Sequence, residues 1–85
     1  MPTTYRTDIR PKFRPNDIAC MRPRGVLVDS QDWMCDVAAT FGFPDHGNAR
    51  RVHNRLTAGN MPPDGAWPAD WLAAYESWMV DGFLP

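Results

Sequence analysis

Apolar residues return at helical intervals in four stretches of this chain, separated by proline and glycine. The first candidate helix runs from Phe13 to Arg22, with Asn16 as its cap, Asp17 at its positive end, Ile18 and Met21 on one side, and Pro23 as its stop. The second is expected from Asp29 or Ser30 to about Phe41. There Trp33, Val37 and Phe41 repeat every fourth residue, Met34 and Ala38 widen the stripe, and Gly42 and Pro44 prevent continuation. The third, capped by Asp45 or Asn48, buries Ala49, Val52 and Leu56, points Arg50, Arg51 and Arg55 elsewhere, and leaves through Gly59. A loop from Asn60 to Trp67 leads to the fourth helix, from about Ala69 to Val80, ending at Gly82. Its two apolar lines, Leu72-Tyr75-Met79 and Trp71-Tyr75-Trp78, make a face broader than one partner helix covers. Residues 1–12 carry no sustained period and read as an extended arm whose order depends on docking. The expected architecture is all-α: an arm over 1–12 and a single helical domain of about four helices over 13–85.

With 85 residues, such a domain draws only about 3–5 kcal/mol from its core, so its four Trp, four Phe, two Tyr and five Met are needed inside. The net charge of −1 gives no support for a nucleic-acid or acidic-membrane partner. The distribution is uneven: Arg6, Arg10, Lys12, Arg14, Arg22 and Arg24 precede Asp29, Asp32, Asp36 and Asp45. This is either an internal charge match or a basic rim for an acidic partner. No signal-peptide core or membrane-length apolar run is present, and a cytoplasmic protein with reduced Cys20 and Cys35 is expected.

The residues able to bind metal or attack a substrate are few. Cys20 and Cys35, His46 and His53 lack the paired spacing by which one turn presents two zinc ligands. His53 reads as a half-buried imidazole bonded to a loop carbonyl, and His46 as exposed or capping. Cys35 lies between acidic neighbours that raise a thiol pKa, the wrong direction for a nucleophile. No catalytic residues are assigned.

The stretch Gly59-Asn-Met-Pro-Pro-Asp-Gly-Ala-Trp-Pro68, with Trp78-Met-Val-Asp-Gly82 closing the last helix, resembles the back half of cytochrome c. The resemblance covers roughly residues 9–85. It implies a cytochrome c-like fold, with Met61 at the place of the distal haem ligand, held by Pro62 and Pro63. The haem-attachment motif Cys-x-x-Cys-His is missing: Asp17 stands for its first Cys, Cys20 for its second and Met21 for its His. No cofactor is therefore expected, and Met61 reads as a core filler, with Trp33, Trp67, Trp71, Tyr75 and Trp78 occupying the porphyrin's volume. The alternative is an electron-transfer protein holding haem or copper non-covalently through Met61 with His53 or Met21.

The resemblance also extends to haem-free segments found alone or joined to bacterial enzymes of oxidative or biosynthetic type. It implies an accessory domain that acts on a protein partner. The expected contact surface is the stiffened loop and its neighbours, with Arg50, Arg51, Asp64 and Trp67 as binding residues. Trp67 has a second reading, as the lid of the core.

Overall fold

One backbone carbonyl ties the two ends of the chain together. In the computed structural model, which describes residues 2–59 and 66–85, Leu84 O accepts the Tyr5 amide and the Trp78 indole N–H, each at 2.8 Å. The Thr3 amide donates to Asp81 Oδ2 at 2.7 Å. The two bonds to Leu84 O satisfy polar groups of the buried Tyr5 and Trp78 that would otherwise lack water, whereas the Thr3–Asp81 bond lies at the surface.

The N-terminal segment is coiled rather than extended, which corrects the expectation for residues 1–12. Thr4 Oγ1 accepts the Thr7 amide, and Asp8 Oδ2 accepts the Thr4 amide, so a reciprocal cap starts a π-helical turn, Tyr5–Ile9. Pro11 has no N–H, and the chain tightens into a 3-10 turn, Arg10–Lys12. Tyr5 and Ile9 point inward and are fully enclosed, which is what orders the segment.

Four α-helices follow among the described residues: α1 (Pro15–Met21), α2 (Gln31–Met34), α3 (Gly47–Thr57) and α4 (Ala69–Val80). Helix α1 begins two residues later than expected, and its cap is Arg14 and not Asn16. The buried Asp17 carboxylate accepts the Arg14 amide at 3.0 Å and is gripped by the Arg14 guanidinium at 3.1 and 2.9 Å. The chain then passes through a 3-10 turn, Arg22–Arg24, into Gly25 at φ 77°.

Helix α2 is a single turn, not the three turns that the Trp33-Val37-Phe41 spacing suggests. The carbonyls that a longer helix would use are engaged elsewhere. Trp33 O accepts the Asn48 side-chain amide, Val37 O accepts the His46 amide, Ala38 O accepts the Gly47 amide, and Asp36 turns its carboxylate onto the Ala38 amide. Val37 and Phe41 are consequently 68% and 51% exposed. Residues 37–47 form a hairpin-like excursion, closed at its tip by the Phe43 amide donating to Thr40 O at 3.0 Å.

Helices α3 and α4 carry the core. Ala49, Val52 and Leu56 from α3 meet Tyr75 and Trp78 from α4, and the Tyr75 hydroxyl donates to Ala49 O at 2.7 Å. Gly59, at φ 77°, provides the left-handed exit of α3. Phe13, Trp67, Tyr75, Trp78 and Phe83 follow one another at ring separations of 5.1 to 6.2 Å through the interior, within the tilted and edge-on range that aromatic pairs favour. Trp33 and Trp71 are only partly buried against them.

Candidate functional site

The hairpin-like excursion ends in a turn with an unusual occupant. Both central residues, Phe41 and Gly42, have positive φ, 54° and 84°. Turns of this mirror-image kind favour Asn, Asp or Gly at the first place, because a Cβ there crowds the backbone. Holding Phe41 in the left-handed region costs about 1–3 kcal/mol. The Arg51 guanidinium lies 4.2 Å from the ring centre, a contact that contributes about 0.5–1 kcal/mol at an exposed position. Half-burial of the ring adds about 1 kcal/mol. These gains do no more than offset the strain, so Phe41 makes the tip bulky and aromatic without making the fold more stable than Gly would.

The base of the excursion is rigid. Gly47 starts α3 where a Cβ would overlap the backbone N and O and the side-chain oxygen of Thr40. Buried Asn48 accepts from Thr40 Oγ1 at 3.0 Å and donates to Trp33 O at 3.0 Å, joining the excursion to α2. Arg50 donates through Nε to Asp45 O at 2.9 Å and through a terminal nitrogen to Asp45 Oδ1 at 3.0 Å. His46, at φ 45°, stacks on Phe83 with ring centres 3.9 Å apart and bonds Asp45 Oδ2 through Nδ1 at 3.0 Å. The bond from His46, then those from Arg50, hold the Asp45 carboxyl below its ordinary pKa. His46 occupies the N-cap position of α3, in line with the capping expectation, but its carbonyl and not its ring takes part, accepting the Arg50 amide at 3.0 Å, and the ring packs on Phe83.

A cleft of about 280 Å³ lies beside this base, lined by Phe43, Pro44, Arg50, His53, Asn54 and Met79. His53 Nε2 meets Glu76 Oε2 at 3.0 Å, joining α3 to α4, while its ring stacks on Tyr75. The imidazole's partner is therefore a carboxylate and not the expected loop carbonyl.

The residues singled out in the sequence are distributed unevenly over this region. Arg51 belongs to the exposed face, and Arg50 fixes its base. Trp67 is 5% exposed and packs against Phe13, Trp71 and Tyr75, which removes it as an exposed contact residue and favours its reading as a lid. Asp64 and Met61 lie outside the described residues. Met21 is enclosed in the core, and the described residues contain no group of three or more His, Cys, Asp or Glu side chains placed to hold a metal ion. Cys20 and Cys35 are free thiols. Burial, and then Asp32, push the Cys35 thiol up, away from the reactive thiolate.

Val37 and Phe41 lie at the surface and not in the buried stripe that their spacing predicts. The available signal was Phe41-Gly42 followed by Pro44, which also fits a turn. No helix of the described residues is long and apolar enough to cross a membrane. Comparisons with protein-family models, with curated proteins and with solved structures find no match.

Proposed function

We propose that this chain is a non-catalytic interaction domain that docks on a protein partner through the face around Phe41 and Arg51. The supporting observation is the strained, half-exposed Phe41 at the tip of a rigidly based excursion, with Arg51 laid over its ring. Backbone strain that local contacts only offset accumulates where function selects it. Aromatic residues and Arg are also the types on which interface energy concentrates. A tip held in place by Gly47, Asn48 and the Asp45–Arg50 pair loses little conformational freedom on binding, which favours affinity. In this proposal the chain is a haem-free, cytochrome c-like accessory domain of the cytoplasm, and its partner is a bacterial enzyme of oxidative or biosynthetic type.

The test is capture of the partner from the source cell by immobilised protein, comparing the parent with Phe41→Ala and Arg51→Ala. Both variants should keep the parent's circular dichroism and lose the captured protein. Equal retention by parent and variants would refute the proposed face.

A further inference from the structure

The outward side of α3 beside Phe41 has a definite electrostatic character. Arg51 and Arg55 are one helical turn apart, so their side chains are neighbours on one face, about 6 Å apart at Cβ. Among the described residues neither guanidinium has a carboxylate partner. The other positions on this side, Asn54 and Ala58, are uncharged. Of the acids near the excursion, Asp45 is paired with Arg50 and His46, while Asp36 accepts the Ala38 amide on the α2 side and keeps its charge. Arg51 thus adjoins the half-exposed ring of Phe41, Arg55 lies one turn further along the helix, and among the described residues neither meets a carboxylate.

Resting on the interaction reading above, we propose that the segment recognised on the partner is an acidic amphipathic helix. It carries two carboxylates one turn apart, which meet Arg51 and Arg55, and an apolar residue that packs against the ring of Phe41. Spacing favours a helix, because carboxylates at i and i+4 repeat the separation of the two guanidiniums. Arg also pairs well with carboxylates, through parallel N–H donors. Charge at this face sets both orientation and the rate of encounter, so binding weakens as salt rises.

The experiment is an amide chemical-shift titration of the isotope-labelled full chain with a short capped helical peptide in which Leu lies between two Glu one turn apart. A twin peptide with Gln for both Glu, and a thymidine oligonucleotide, are titrated in parallel. The expected result is that the Glu peptide shifts the amides of Val37, Phe41, Arg51 and Arg55. The Gln twin should bind about three- to tenfold more weakly. Equal binding by the Gln twin, shifts confined to other surfaces, no shifts, or an equal response to the oligonucleotide would each overturn the acidic-helix proposal. The Gln twin keeps this test independent of protein variants. Arg51→Glu with Arg55→Glu should abolish the response while preserving the dispersion of the spectrum. If that variant still captures the cellular partner while Phe41→Ala does not, docking through Phe41 stands, and both the acidic helix and the role of Arg51 in the proposed face fall.

Discussion

Arg51 lies over the ring of Phe41, 4.2 Å from its centre, and Phe41 adopts a left-handed backbone to receive it. The pair joins a helix whose position the buried Val52 and Leu56 determine to a turn with little packing of its own. A rigid scaffold therefore presents an exposed aromatic tip whose base is held in place, the arrangement typical of loops that bind.

Gly47→Ala should destabilise the protein by about 3 kcal/mol, at the upper end of ordinary overpacking, because the new methyl meets backbone atoms of Thr40 as well as its side chain. Urea unfolding measures this. A loss under about 0.5 kcal/mol would mean that the excursion shifts freely on α3 and has no rigid base.

Trp78→Ala and Leu56→Ala should cost about 3–5 and 2–5 kcal/mol respectively. Trp78 touches Tyr5, Tyr75 and Phe83 and donates to Leu84 O, so its removal also loosens the junction of the two chain ends. The corresponding amides near Thr4 and Leu84 should lose protection in hydrogen exchange. Near-parent stability in either variant would contradict the packing of α3 on α4.

Tyr5 gives the fold an alkaline limit. Burial raises its pKa from 10.0 to about 12, and its hydroxyl donates to Val28 O. The folded state retains this proton at a pH where the unfolded chain has lost it. The stability it contributes is therefore complete below pH 10 and falls as pH rises from 10 toward 12, by roughly 2–3 kcal/mol. Tyr75, pushed up by burial, acts in the same direction. Melting temperatures across this range should decline less steeply in Tyr5→Phe than in the parent; equal slopes would contradict the assignment.

Haemin titration should give no saturable visible-band shift at one equivalent. Met21 is enclosed in the core and His53 Nε2 is engaged by Glu76, so neither side chain is poised as an axial ligand. A sharp stoichiometric shift that is lost in His53→Ala would instead favour the electron-transfer alternative.

Much of the helical frame was legible because its signals were local and redundant. Ala49, Val52 and Leu56 recur on one side of α3, Gly59 permits its exit, and Trp71, Tyr75 and Trp78 recur along α4. The excursion was misread for the opposite reason. Trp33, Val37 and Phe41 have helical spacing, but the carbonyls of Trp33, Val37 and Ala38 are taken by residues 46–48, and long-range bonds of this kind leave no mark on a local period. The order of the N-terminal segment was hidden similarly, since the Tyr5 amide is satisfied only when Leu84 arrives from the other end of the chain. Arg51 stands out in the sequence as a candidate, whereas the helical spacing of its partner Phe41 points to the core.

Phe41→Gly tests the central claim most directly, because it relieves the backbone strain and removes the proposed contact in one change. Thermal unfolding and partner capture are measured on the same preparation. The account predicts stability within about 1 kcal/mol of the parent, since strain relief offsets the lost ring contacts, together with loss of the captured partner. A fall of several kcal/mol, or undiminished capture, would contradict the claim that Phe41 is held at the surface for binding.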